Sequence, residues 1–576
     1  MFTMNNKKFM AFLLAAMIAA TNLAACSSEK SNSDSTQNSN ENTTAQTQET
    51  IPQTSTETPK DTASNETAPS ETAKTFEGTS IELSDNGITV NGEAVSSDEN
   101  SDVYVKNDIV FYEQGKDFTY GEGSENDAHS QEEADKHSVV HITKPGDYLI
   151  SGSLSAGQIA VDLGEDAETD PNAVVNLYLD GADITCTVAP AVIFYNVYEC
   201  GSDDAEKASK DVDTSAAGAN VYIVDGSENN INGSYVAKIY KSVELSEDGK
   251  TVLDSKKLHK YDAAFYSKKS MNIFGDSGIL NINAENEGLD SELHLTINGG
   301  IININSGNDG INTNEDGVSV TTVNGGEVNI VVNGSTGEGD GIDSNGWLVI
   351  NGGKVTSSAC GSSGDAGIDS DMGIYINGGT VVASGNMYDK IDSQEQNYSI
   401  FTFAQKQNGG ETYEFKNSEN ETVFTVNPEN DFMYLIISSD ELSEGTYTLW
   451  NGEEQLSYIG NSVMGMGGFG GFGGGQRPDG GMQSAPIHLP NISKNDDGTY
   501  NFYDGSVLTP EELLAKIDEI IEQSENMGEF ARPEGDKMQK PNGNIPENLQ
   551  NNSETSTEFI IKNGQNSFSG VSNANK

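Results

Sequence analysis

Four near-identical tetrapeptides constrain this chain more than any other feature. Ile297-Asn298-Gly299-Gly300, Val323-Asn324-Gly325-Gly326, Ile350-Asn351-Gly352-Gly353 and Ile376-Asn377-Gly378-Gly379 recur with their asparagines 26, 27 and 26 residues apart. A fixed period of this size marks a solenoid, because each unit is too small to bury its own apolar face and must stack on its neighbours. Leu295, Leu348 and Ile374 lie three residues before the asparagine, and Ile302, Val328, Val355 and Val381 two after the second glycine. That parity is the two-residue period of strands on either side of a turn. In the second copy Val318, Val320 and Val323 point to a one-residue bulge. The period has no room for the helix of a leucine-rich repeat and suits one coil of a parallel β-helix, with two or three short strands per coil. The expected class is therefore all-β, a solenoid of about 26 residues per coil. Stacked coils turn the Asn298, Asn324, Asn351, Asn377 series into a structural amide ladder, at a turn that needs left-handed backbone geometry.

A second repeat lies on another edge. Glu287-Gly288-Leu289-Asp290-Ser291, Asp309-Gly310-Ile311-Asn312-Thr313, Asp340-Gly341-Ile342-Asp343-Ser344, Asp365-Ala366-Gly367-Ile368-Asp369-Ser370 and Asp389-Lys390-Ile391-Asp392-Ser393 each put an apolar residue between two polar ones, most of them acids. Carboxylates stacked at the roughly 4.8 Å strand spacing repel by roughly 0.9 kcal/mol per pair even at the dielectric of water. A hard divalent cation neutralises such a ladder, and calcium takes 6 to 8 oxygens. Few His or Cys ligands occur in these repeats, which disfavours zinc. The expected calcium ligands are Asp309, Asp340, Asp343, Asp365, Asp369, Asp389 and Asp392, with Asp371 and Asn314 in support. The competing reading makes these acids turn formers that also block edge pairing.

The flanks carry other signals. Lys7 and Lys8, an apolar stretch from Phe9 to Ala20 and the run Leu23-Ala24-Ala25-Cys26 have the layout of a secretory signal. Ending on cysteine, it resembles a bacterial lipobox, which implies cleavage before Cys26 and a lipid anchor there. The protein is then expected on the extracellular face of the bacterial cell membrane, held by lipid alone. Residues 26–76 are Ser, Thr, Asn, Gln and Glu-rich and read as a disordered tether. A strand and loop segment is expected over 77–137, the β-helix over 138–400, and a strand-rich cap over 401–460. The Gly, Met and Phe-rich stretch 461–490 reads as a linker. Thr509-Pro510-Glu511-Glu512 is a capping-box start, so 491–527 holds one short amphipathic helix, and 528–576 reads as a disordered tail. Cys186, Cys200 and Cys360 have no Cys-x-x-Cys spacing; Cys186 and Cys200 either pair or stay as buried thiols.

Charge narrows the partners. With 90 Asp and Glu against 31 Lys and Arg the formal charge is −59, which excludes nucleic acid, whose binding needs a basic face. The only arginines, Arg477 and Arg532, lie outside the repeats. If Leu348, Ile350, Ile374 and Ile376 point inward, Trp347 and Tyr375 share an outer face able to stack on sugar rings, and Tyr388 lies beside the acidic edge. Packing of Trp347 beneath a loop is the alternative.

Thr143-Lys144-Pro145-Gly146-Asp147-Tyr148, Asp180-Gly181-Ala182-Asp183-Ile184, Ser267-Lys268-Lys269-Ser270-Met271-Asn272-Ile273 and the two repeated elements together resemble a family of secreted bacterial carbohydrate-binding proteins. The resemblance covers roughly residues 138–450 and implies a right-handed parallel β-helix shaped like pectate lyases, bound calcium, and cellulose or pectic acid-sugar polymers as ligands. Asn312 in place of an acid, the inserted Ala366 and Lys390 in place of glycine depart from the repeat. Lyase chemistry of this kind needs calcium to acidify the carbon beside a uronate carboxylate, and an Arg or Lys base. Lys390 is the candidate base, but Asp389 and Asp392 would hold it protonated. The expectation is therefore a calcium-dependent polysaccharide binder rather than an enzyme, with a lyase using a lysine base, or a calcium-stiffened stalk that binds a protein, as alternatives.

Overall fold

Glycine and asparagine decide where the backbone turns, and the apolar alternation decides what lies between. The computed structural model describes residues 76–392, 395–459, 493–494, 500–501, 507–508 and 555–574. Over these residues the chain is all-β, with strands that pair mostly in parallel, one repeat apart.

Three ladders result. In the first, Ser138–Ile142, Gly157–Asp162, Val192–Asn196, Ala263–Ser267, Glu287–Ser291, Ile311–Thr313 and Ile342–Ser344 follow one another in parallel. In the second, Val175–Cys186, Ala219–Ile223, Met271–Gly275, His294–Ile297, Val320–Val323, Trp347–Ile350 and Gly373–Ile376 do the same. The third runs through the far half of Val175–Cys186, then Glu228–Gly233, Ile279–Ala284, Ile301–Ser306, Glu327–Val332, Lys354–Ser358 and Thr380–Gly385. Inward positions such as Ile273, Ile297, Val323, Ile350 and Ile376 are fully buried and belong to one continuous core.

The turn between the second and third ladders carries the amide chain. Asn324, Asn351 and Asn377 each donate an Nδ2–H to the Oδ1 of the asparagine one repeat earlier, at 2.9, 2.9 and 2.8 Å. The left-handed residue of the turn is the second glycine, not the asparagine: φ is +84° at Gly326 and +78° at Gly353. A Cβ on Gly326 would also meet the carbonyl oxygen of Gly300 at 2.5 Å, so glycine is required there twice over. Toward the N-terminus the same row becomes aromatic. Tyr178, Tyr222 and Phe274 stack at centroid distances of 4.6 and 4.8 Å.

Three expectations need correction. The second copy has no bulge, because Val320–Val323 keeps uniform register with both neighbours. Thr321 takes the inward position of Leu295 and Leu348, and its buried hydroxyl is satisfied by the hydroxyl of Thr313 at 3.1 Å. A long antiparallel hairpin, Val236–Leu245 with Val252–Tyr261, is inserted into one turn and breaks the 26-residue period there. The expected disordered tail 528–576 holds the strands Phe559–Ile561 and Gln565–Asn573. The latter pairs in parallel with Tyr398–Gln407 and antiparallel with Glu454–Ile459. Phe559 and Phe568 are buried with Phe401 and Phe415 in a second core, which makes the C-terminus part of the cap. The expected linker 461–490 and the expected signal, tether and anchor at Cys26 lie outside the described residues, as does the expected helix at Thr509–Ile521. Cys186, Cys200 and Cys360 are free thiols, the first and last buried.

Candidate functional site

The acidic repeats that begin at Glu287, Asp309 and Asp340 lie on the first ladder, the Asp365 repeat hydrogen-bonds onto its last strand, and the Asp389 repeat bridges through Ile391 to Ile374 of the second; the register explains which acids meet. Tyr266 pairs with Asp290, Asp290 with Asn312, and Asn312 with Asp343, so one side-chain row runs along the edge. A second row, one bend away, carries Glu287, Asp309, Asp340 and Asp365. Here carboxylates tie successive repeats together. Asp309 Oδ1 accepts the N–H of Asp340 at 2.7 Å, Asp340 Oδ1 that of Ala366 at 2.5 Å, and Asp365 Oδ2 that of Gly339 at 2.7 Å. One oxygen of each of these three acids is thus committed to the backbone of a neighbouring repeat.

Mutual repulsion remains. Burial first, and then the neighbouring carboxylates, push Asp309, Asp343 and Asp369 up to about 7 and Asp389 to about 6. Burial followed by Asp309 and Asp369 holds Asp340 well above the usual carboxylate range. Asp392 and Lys390 form an ion pair. Lys390 is exposed and bound to a carboxylate, a poor setting for a base.

The convergence of three carboxylates is at the start of the edge, on residues that the repeat pattern only partly announces. Oxygens of Asp262, Glu287 and Asp290 lie within 4.8 Å of one another, the one such group among the described residues. Asp290 is fully buried and Glu287 is 6% exposed. The hairpin strand ending at Tyr261 delivers Asp262 beside Glu287, whose N–H donates to the carbonyl of Asp262 at 3.1 Å. Asn314 donates to both oxygens of Asp290 at 3.0 Å, and Asn312 donates to Glu287 Oε1 at 3.3 Å. Lys260 Nζ sits 2.5 Å from Asp262. Two buried oxygens of this group, Glu287 Oε2 and Asn312 Oδ1, have no hydrogen-bond partner. Burial, followed by neighbouring acids, drives Glu287 and Asp290 well above the carboxylate range, and burial raises Asp262 against the opposing pull of Lys260.

This donor set fits a hard cation. Three carboxylates less the Lys260 charge leave two negative charges, the count a divalent ion neutralises, and every available donor is oxygen. Orphaned buried oxygens cost stability unless something binds them. A cleft of about 350 Å³ opens beside the cluster, lined by Lys257, Lys260, Asp262, Glu292, Asn314 and Glu315 among others. Asp262 is the member of the trio that reaches it. Glu292 is held there by Lys257 at 2.9 Å and by the hydroxyl of Tyr266.

The aromatic residues are placed differently. Trp347 and Tyr375 share the outer face of the second ladder but stand diagonally, since Trp347 pairs with Gly373 and Tyr375 with Val349. The segment 197–218 runs over this face. Its Thr214 bonds Asn272 and Thr296, both at 2.7 Å, and Lys210 Nζ lies 5.1 Å from the Tyr375 ring. Trp347 is half-buried. Tyr388 packs on Tyr434 at 5.1 Å and against the core. None of the three lines the cleft.

Asp262 escaped the sequence reading because its unit, Ala263 to Ser267, lacks the Asp-Gly signature. Only the pairing of Phe265 with Leu289 and of Ser267 with Ser291 betrays an earlier copy of the apolar-x-Ser motif.

The model of a family described as carbohydrate-binding domain-containing protein matches residues 136–413, which contain all three ladders, the acidic edge and the cleft. No curated protein matches the chain. Among solved structures, the polysaccharide lyase-like protein from C. thermocellum, as its gadolinium derivative, is 21% identical over 53% of this chain and 93% of its own, with a TM-score of 0.30. That likeness is too slight to bear on fold or function.

Proposed function

We propose that this protein is a calcium-dependent polysaccharide binder, anchored by lipid at Cys26 on the outer face of a bacterial membrane, and that its three ladders are the faces of a right-handed parallel β-helix. The match of residues 136–413 to a carbohydrate-binding family supports polysaccharide as the ligand. The observation that carries the reading further is the convergence of Asp262, Glu287 and Asp290 beside an open polar cleft, with one carboxylate oxygen left unpaired.

In this reading Asp262, Glu287, Asp290 and the carbonyl of Asn312 hold a calcium ion, and the edge acids Asp309, Asp340, Asp343, Asp365, Asp369, Asp389 and Asp392 supply further, weaker sites. Bound calcium supplies positive charge for an anionic sugar. Without it, a cleft with acids Asp262, Glu292, Glu315 and Asp316 against Lys257 and Lys260 repels uronates. With it, the trio and Lys260 together are neutral, and a carboxylate of a pectic acid-type polymer would be drawn to the ion itself through an open coordination position, with Lys257 beside it. Binding is favoured over elimination because Lys390 and Lys260 are both paired with carboxylates, and against the pull of burial Asp262 holds Lys260 above its usual value.

Retention of the full chain on immobilised polygalacturonate, in calcium and in EDTA, tests the proposal. Calcium-dependent retention with no rise in absorbance at 235 nm is the expected result. Equal retention in EDTA defeats the role of the cation, and a rise in absorbance makes the protein a lyase.

A further inference from the structure

The inserted hairpin leaves the solenoid, and none of residues 241–258 is buried. Val236–Leu245 and Val252–Tyr261 form a two-stranded sheet of their own. Near the base, residues 120–122 flank the first strand: Tyr240 N–H donates to the carbonyl of Tyr120 at 2.8 Å, and Glu122 N–H to that of Lys238 at 2.9 Å. Beyond Tyr240 no other strand flanks the hairpin among the described residues. Yet Leu245, Leu253 and Leu258 are 38%, 63% and 47% exposed, three of the seven large apolar side chains that stand exposed among the described residues. The charge is equally out of character. The stem, 236–243 with 255–261, carries Lys238, Lys241, Lys256, Lys257 and Lys260 and no acid, on a chain of −59. Lys238, Lys257 and Lys260 pair with Glu122, Glu292 and Asp262. Lys241 and Lys256 are exposed, with no ion pair among the described residues. A hairpin of two strands is marginally stable in water by itself, so one that shows leucines and unpaired lysines together is a surface built to be covered.

We propose that this hairpin is the docking surface for the chain's own segment 509–527. The inference goes beyond the polysaccharide-binding reading and does not depend on it. The segment lies outside the described residues, and its sequence supplies what the hairpin lacks. Six acids against one lysine, Lys516, give it a net charge of −5, and Leu513, Leu514, Ile517, Ile520 and Ile521 fall on one face at helical spacing. Apolar side chains can thus meet the exposed leucines while the acids meet Lys241 and Lys256. The chain is long enough to bring them together. The coil that carries the hairpin lies four parallel steps from Gly373–Ile376, next to the cap, which is roughly 19 Å at the usual strand spacing. Residues 460–492 alone, as a Gly-rich chain, reach roughly 29–34 Å from Ile459. Such a tether gives the segment an effective concentration on the order of millimolar, an advantage that no acidic partner in solution shares. A second copy of the chain would have to overcome the repulsion between two molecules of −59.

Zero-length carbodiimide coupling of the full chain, as an equal mixture of isotope-labelled and unlabelled protein, tests this by mass spectrometry of the digest. Links from Lys241 or Lys256 to acids of 511–525 are expected within single chains. The variant Ile517→Asp/Ile520→Asp, which leaves the hairpin itself untouched, should lower their yield at least tenfold and speed amide exchange over 241–258 at least tenfold. Lys241→Glu/Lys256→Glu, shown to be folded by its thermal melt, should speed exchange in the same way, and Lys241→Arg/Lys256→Arg, which keeps the charge, should exchange like the wild type. Absence of these links overturns the inference, as do links and exchange that Ile517→Asp/Ile520→Asp leaves unchanged. Links that join only labelled to unlabelled chains also overturn it, by making a second copy the occupant. Neither lysine lines the cleft, so any of these failures leaves the polysaccharide reading standing.

Discussion

Glu287 is a side chain unfavourable to the fold that the proposed calcium site would need. It is buried, one of its oxygens has no partner, and its carboxyl is held well above the usual range by burial and by Asp290. Glu287→Gln keeps the shape and removes the charge. The variant should melt higher than the wild type in EDTA and lose the rise in melting temperature that calcium gives the wild type, as differential scanning calorimetry will show. A variant that is less stable in EDTA would make Glu287 an ordinary structural residue. The glycine turns offer a contrast within one motif. Asn324→Ala breaks two exposed amide hydrogen bonds that water can replace, and should cost about 1 kcal/mol. Gly326→Ala forces a Cβ onto φ +84° and against a carbonyl, and should cost at least about 2 kcal/mol. Urea unfolding of the two variants measures the difference. The asparagine row could be read from the repeat because its partners are identical residues. Asp262 could not, because a hairpin delivers it and the unit that follows it lacks the Asp-Gly signature.

At the scale of elements, the ladders follow from alternation and glycine spacing wherever the repeat is regular, and are lost from view wherever an insertion or a short segment intervenes. The C-terminal strand is the clearest case. Gln565–Asn573 is rich in Ser, Asn and Gly, which in isolation suggests disorder, and only Phe568 and Val571 mark its buried side. Its partners lie more than a hundred residues earlier, beyond the reach of any local pattern. Phe568 is 2% exposed and stacks on Phe401 at 5.0 Å. Phe568→Ala should therefore cost about 3–5 kcal/mol in urea unfolding. Removal of residues 555–576 should expose the cap core to dye binding and proteolysis; an unchanged melt would show that this strand contributes nothing. The face with Trp347 and Tyr375 teaches a related lesson. Parity places both rings outward, but segment 197–218, with no pattern of its own, decides that Tyr375 lies against Lys210.

For the whole molecule the acidic edge sets how stability depends on pH. Asp309, Asp343 and Asp369 have folded-state values near 7 against 3.8 for the ordinary side chain. Between those limits the folded chain binds more protons than the unfolded one, so stability falls as pH rises through this window and the loss is complete above about 7. In EDTA the melting temperature should therefore drop between pH 5 and pH 8. Calcium, which needs the ionised carboxylates, should cancel or reverse that slope. A melting temperature independent of pH in EDTA would show that the edge carries no such strain. The most direct test of the central claim is calorimetric titration of polygalacturonate into the full chain and into Glu287→Gln/Asp290→Asn, both in calcium. The account predicts binding heat for the wild type and at least a tenfold loss of affinity for the folded variant; equal affinity in the two would contradict it.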